Sequence, residues 1–315
     1  MTKLDEKEII KIFQQSFGNK KFVSEDVETF KLGKNLGVIK TDTLVESTDI
    51  PPKMKLSEAA RKSVVACVSD FAAKGIRPLY GIISVTIPRK YSRKKVKEIA
   101  DGFKDASREF GFRILGGDTN EGKELVMSVS FFGISDKIIH RNGAKIGDSI
   151  IVTGSFGNVT AGLRHILEKK KAEKKFAKKI RKAVFHPIPR LDFGVSAGRY
   201  LSSAMDSSDG LSTTLVEMAA QSKKKFVITN LPKDPKLEGF ATQNRLDVTD
   251  LVFNGGEEYE IVGTVPQKNL EKIKQIAKAY KISLIEIGRV EKGRGVFLAD
   301  KNMKIESGGW LHFRR

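Results

Sequence analysis

The chain holds one cysteine, one tryptophan and four histidines in 315 residues, and only 38 acidic residues against 57 basic ones. Each scarcity excludes something. A single cysteine forms no internal disulfide and builds no cysteine cage for zinc. Cys67 lies in the apolar stretch VVACVSD and reads as a small buried hydrophobe rather than a reactive thiol. The histidines form no HExxH pair, and the sequence contains neither a GxxxxGK[ST] loop nor a GxGxxG run. Zinc-protease, P-loop and Rossmann readings therefore fall away. No stretch approaches the roughly 20 apolar residues of a membrane span. The start, MTKLDEKEII, is too polar and acidic for a secretory leader. The expectation is a cytoplasmic protein with no membrane partner.

The shortage of acid leaves a formal net charge of +19, and its distribution is uneven. Between Arg164 and Arg190, eleven Lys or Arg stand against Glu168 and Glu173. The core of this segment, EKKKAEKKFAKKIRKAVF, sets Phe176, Ile180 and Val184 at helical spacing among lysines. That is the pattern of a solvated helix with one apolar stripe. The alternative is an anionic partner, nucleic acid included, because a basic face leaves an electrostatic footprint without any base-reading element.

A chain of this length exceeds one comfortable core, and 40% hydrophobic residues supply enough apolar material for two. The polar, glycine-bearing GAKIGD before the β-rich SIIVTG predicts a boundary that divides residues 1–143 from 144–315. Amphipathic spacing predicts helices over Leu4–Phe17, from Ser57 to a stop at Gly75, from Ser92, over Val159–Leu167, near Leu191–Tyr200 and over Gln267–Ala279. Strands are predicted at Val38–Ile39 running to Thr41 and Asp42, and in LYGIISVTIP, RILGGDT, LVMSVSFFGI, FVIT, YEIVGTV and SLIEIGRV. Leu231–Thr249 reads as irregular. Such alternation predicts an α/β fold of α+β layers in two domains.

Against the scarcity of acid, carboxylates gather at the ends of β-rich runs: Asp42, Asp118, Asp206, Asp209 and Glu257. Asp70 joins them from an otherwise apolar helix face, where an unpaired carboxylate is costly. In α/β sheets, ligands collect outside the carboxyl ends of strands. Oxygen ligands without His or Cys suit a hard cation such as magnesium, which borrows phosphate oxygens from its substrate. The pairs Gly116-Gly117 and Gly255-Gly256 allow close backbone approach to phosphate. Together these point to a nucleotide with magnesium. Each part has a plainer reading: GGD as a turn, Asp209 as a helix cap, Arg141 as a solvated turn residue, Trp310 as a core anchor.

The motifs run in the order TDTLVE, VSDFAAKGIRP, GGDT, an arginine before NGAKIGD, MDSSDGLS, and NGGEEYEIV. In that order they resemble the thiamine-monophosphate kinases, within the superfamily that includes aminoimidazole ribonucleotide synthetase, over nearly the whole chain. The resemblance implies an N-terminal domain whose mixed sheet pairs across a homodimer, and a C-terminal α/β domain. It implies transfer of the γ-phosphoryl group of ATP to thiamine monophosphate with several magnesium ions. It places metal at Asp26, Thr41, Asp42, Asp70, Asp118, Asp206 and Asp209, with Asp42, Asp70 and Asp209 central to catalysis. ATP falls to Gly117, Asp118, Arg141 and Ser208, and the acceptor to Glu257 and Trp310. Three departures stand out. SEDVE replaces the usual GDDAA around Asp26, Asp49 stands where the family has histidine beside the substrate, and GGEEYEI replaces GGEDYEL. Other acceptors within the superfamily, and an anion-binding protein with a relic acid site, are the alternatives.

Overall fold

The computed structural model describes residues 5–19, 22–301, 303–310 and 313. In the first half, α1 (Glu6–Ser16) precedes a hairpin of β1 (Glu28–Leu32) and β2 (Asn35–Val45). One turn of helix, α2 (Glu46–Asp49), and the Pro51-Pro52 break lead into α3 (Leu56–Ala73). Next, β3 (Tyr80–Pro88), α4 (Arg93–Phe110) and β4 (Arg113–Gly122) make a crossover with parallel strands. β5 (Val126–Ser135) then inserts between β2 and β3, giving a mixed sheet in the order β1-β2-β5-β3-β4.

The second half builds a seven-stranded sheet in the order β12-β11-β8-β10-β6-β9-β7. Its elements run β6 (Ser149–Val152), α5 (Asn158–Leu167), α6 (Lys174–Phe185), α7 (Leu191–Ala197), β7 (Ser203–Asp206), α8 (Leu211–Ser222) and β8 (Lys225–Ile228). α9 (Leu237–Asn244), α10 (Val248–Phe253), β9 (Ile261–Val265), α11 (Gln267–Ala279), β10 (Ile285–Glu291), β11 (Gly295–Leu298) and β12 (Met303–Ile305) complete it.

α3 is the axle between the halves. It packs on α4, β2 and β5 on one side and on α7, β7 and β9 on the other, so apolar and small residues surround nearly its whole circumference. Ala59, Ala60, Val64, Phe71 and Ala72 share one core with Phe131 of the first half and Phe193 and Ile261 of the second. Phe71 meets Phe131 edge-on at 6.2 Å between ring centres. Burying such a ring contributes about 1.5–3 kcal/mol. Close approach sets a steric demand: a Cβ on Gly194 of α7 would lie 1.9 Å from the Ala72 carbonyl oxygen. Gly75, at φ +74°, ends the helix in the left-handed conformation its stop position calls for.

Several elements differ from expectation. β2 and β4 run past Asp42 and Asp118, which lie within strands rather than at their ends. Ladder partners carry them there: Asp42 faces Val129 and Asp118 faces Ser84. Strand formation by polar residues depends on such neighbours more than on intrinsic preference. The irregular stretch contains α9 and the start of α10, where Leu237, Phe240 and Ala241 bury one short helical stripe. α6 buries Phe176, Ile180 and Val184 as its spacing predicts.

Candidate active site

A cleft of about 800 Å³ opens between the halves. Asp42, Asp49, Asp70 and Arg141 line it from the first half, and Asp206, Ser208, Asp209, Glu257 and Trp310 from the second. Its deepest chemistry is a trio. Carboxylate oxygens of Asp26, just before β1, of Asp70 on α3 and of Asp206 at the end of β7 all lie within 4.8 Å of one another, and all three residues are buried.

Three like charges out of water are unfavourable unless cations answer them. Burial pushes Asp70 well above the usual carboxylate range despite the nearby Lys40, and Asp206 is pushed up to about 7 by burial and by Asp26. Burial would also raise Asp26, but Lys74 and Arg141 outweigh it and hold that carboxyl below its ordinary value. Lys74 Nζ is 2.8 Å from Asp26 Oδ2 and also pairs with Glu25. Arg141 Nε donates to Asp26 Oδ1 at 2.8 Å, and its Nη1 donates to Ser24 Oγ at 3.2 Å. Ser69 Oγ donates to Asp206 Oδ2 at 2.9 Å.

A hard cation fits this donor set. All ligands are oxygens, three converge, and the buried Asp42 Oδ2 has no hydrogen-bond partner among the described residues. Asp26 Oδ2 likewise accepts no hydrogen bond of good geometry, despite its ion pair.

The other side of the cleft is tied across the halves. Lys62 Nζ, buried on α3, lies 2.5 Å from Glu257 Oε1 and donates to the Asp49 carbonyl at 2.8 Å. Asp49 Oδ2 accepts the Val45 amide at 2.7 Å, so one oxygen of this acid is committed to its own turn. Glu257 sits at φ +65°, a conformation costly for a residue with a Cβ. Beside it, buried Glu258 accepts the Gly157 and Val159 amides at the start of α5, and burial pushes its pKa up to about 8. Trp310 is 54% exposed at the rim, and its amide donates to the Asp209 carbonyl at 2.9 Å. It is not a core anchor. Nor is Asp209 the cap of α8: that position falls on Gly210, which has no side chain to cap with.

Two expected residues lie elsewhere. Register puts Asp42 in one row with Val129, Ile83 and Gly117, and Asp118 in the next row with Thr43, Ser128 and Ser84. Adjacent residues point to opposite faces, so Asp118 faces away from the side that Asp42 takes, three strands and about 14 Å off. Its carboxylate accepts from Asn120 at 2.7 Å on the exposed edge strand. Thr41 also faces outward, accepting from Ser130 Oγ at 2.9 Å.

Sequence reasoning missed the cations. Lys62, Asp70 and Lys74 lie four or eight residues apart on α3, along one stripe. Charged residues at that spacing in a helix otherwise rich in Ala and Val were the available signal. Lys40, two residues before Asp42 and on its face of β2, was the other. One apparent motif dissolves: GVSAG, 194–198, has the spacing of a nucleophile elbow, but it lies in α7 and its end, with Ser196 Oγ 2.8 Å from the Tyr280 hydroxyl.

Residues 24–135 match the family of AIR synthase related proteins, N-terminal domain, and residues 145–301 the corresponding C-terminal domain. Two mixed α/β layers around a shared acidic cleft thus define an AIR synthase related protein. A thiamine-monophosphate kinase of Nitrosopumilus maritimus (strain SCM1) is 58% identical over 316 residues, covering 100% of both chains. Another from Pyrococcus horikoshii is 32% identical, covering 100% of this chain and 98% of its own. The chain belongs to the thiamine-monophosphate kinase family. The solved structure of AaThiL complexed with AMPPCP and TMP superposes with a TM-score of 0.88 at 26% identity, covering 99% of this chain and 98% of that one. Hydrogenase maturation protein HypE, at 17% identity and a TM-score of 0.69, shares the fold.

Proposed function

We propose that the chain transfers the γ-phosphoryl group of ATP directly to thiamine monophosphate, giving thiamine diphosphate and ADP. The observation that carries the reading is the Asp26–Asp70–Asp206 trio at one end of a cleft whose other side carries Glu257 and Trp310. Full-length identity to curated thiamine-monophosphate kinases supports the acceptor.

In this reading Asp26, Asp42, Asp70, Asp206 and Asp209 hold magnesium ions in the cleft, and Thr41 and Asp118, on the outer face of the first sheet, serve a separate ion there. Bound there, magnesium supplies neutralisation of the phosphate charge for in-line displacement. The chain's residues do the rest by placement. Ser208, Gly117 and Arg141 take ATP, Arg141 also bracing Asp26. Glu257, held by Lys62, and Trp310 position the acceptor, and Asp49 lines the same cleft. No side-chain base is needed, because the acceptor phosphate, with a second pKa of about 6, is largely deprotonated near neutral pH.

The reading divides labour between residues 1–143 and 144–315, in keeping with a first sheet that ends at Ser135 and a second that begins at Ser149. It includes a cytoplasmic homodimer, supported by a hollow of about 610 Å³ on the first sheet, lined by Ile39, Tyr80, Ile82, Leu115 and Phe132. Among the described residues no helix is long and apolar enough to cross a membrane. The test is direct: folded protein incubated with ATP, magnesium and thiamine monophosphate yields thiamine diphosphate, and its absence overturns the reading.

A further inference from the structure

Lys40 occupies an unusual position for a lysine. Its Nζ lies 2.9 Å from Asp70 Oδ2 and 3.6 Å from Asp42 Oδ1, inside the cleft and between two carboxylates from different elements. The strand holds it there: Lys40 and Asp42 share one face of β2, and the Lys40 carbonyl accepts from Cys67 Sγ of α3 at 3.5 Å. Across the trio, Lys74 and Arg141 answer Asp26 and Glu25 in the same way. Five carboxylates, counting Asp206, thus meet three cationic side chains.

We propose that Lys40 is a resident cation of the metal centre: its ammonium group takes the position between Asp42 and Asp70 that a divalent ion would otherwise bridge. The inference rests on the metal centre proposed above and concerns how this chain populates it. A divalent ion bridging the same two carboxylates would lie within contact distance of the ammonium group, repelled by it and competing for the same lone pairs. A fixed charge carried on the strand needs no binding step, and it offsets the repulsion between the two carboxylates it lies between. Asp26, Asp206, the second oxygen of Asp42 and one edge of Asp70 stay available to divalent ions.

Manganese, which electron paramagnetic resonance counts directly, is the probe, with AMPPCP present. The expected result is one more bound Mn²⁺ per chain in Lys40→Ser than in wild type, and the wild-type number in Lys40→Arg, which keeps the charge. The same number in all three proteins overturns the inference. If Lys40→Ser does not fold, wild-type crystals soaked in Mn²⁺ decide: no anomalous peak between Asp42 and Asp70 supports it, and a peak there with Lys40 displaced overturns it. Wild type that binds no Mn²⁺ at all overturns the metal centre itself. Unchanged counts in a protein that does bind Mn²⁺ overturn only the role of Lys40.

Discussion

The lysines of α6 and those facing the cleft are the same residue under opposite physics. On α6, Lys174, Lys175, Lys178 and Lys182 are exposed, while Phe176, Ile180 and Val184 are buried. In the cleft wall, Lys62 and Lys74 are 2% and 1% exposed, and each is matched to named carboxylates. Water and salt screen the first group, so its charge hardly affects the fold. A buried ammonium is tolerated only with its partners, and each partner becomes a liability when the other is removed. The net charge of +19 is therefore a poor guide to this protein, since the charges that matter to the site are a minority in which acids outnumber bases.

The comparison can be broken most forcefully at the acids. Asp70→Asn should lower turnover by on the order of 10²–10³-fold while far-ultraviolet circular dichroism stays native; near-normal turnover would remove Asp70 from the centre. Next in size, Lys74→Met removes one of the two cations shared by buried Asp26 and half-buried Glu25. We expect a loss of about 3–5 kcal/mol in urea unfolding, and a loss below 1 kcal/mol would put Lys74 in the same class as α6.

A pH series sharpens the contrast further. With its pKa raised from 3.8 to about 7, folded Asp206 keeps a proton that the unfolded chain has already released. Stability in EDTA should fall as pH rises across that window, and Asp206→Asn should flatten the slope. Magnesium, which requires the ionised acid, should stabilise more at pH 8 than at pH 6. A metal-free protein equally stable at both ends, with the same slope in the variant, would contradict this. Smallest of all, joint replacement of Lys174, Lys178 and Lys182 by alanine should change stability by no more than about 0.5 kcal/mol and leave turnover at low salt unchanged. A large drop in either would give α6 a role beyond solvation.

Legibility from sequence followed the range of the interaction involved. α6 and α11 could be read because their apolar spacing repeats within a few turns, and Asp70 stood out as acid in an apolar run. The short α9 could not, since only docking of Leu237 and Phe240 into the second core selects helix there. Asp118 and Thr41 were named beside Asp42, yet the pleat and register of β2 and β4 send them to another face. Lys40, Lys62 and Lys74 were passed over because a lysine in sequence looks solvated until its neighbours are known.

By itself, then, the chain's sequence determined the layered α/β class, the family and the acids at its centre, because ordered motifs and periodicity are local properties. Only the tertiary structure decided which acids converge, which face outward and which lysines stand against them. Asp26, Asp70 and Asp206 are far apart in the chain, and they meet because α3, packed between the two sheets, brings the loop before β1 and the end of β7 to one stripe of its surface.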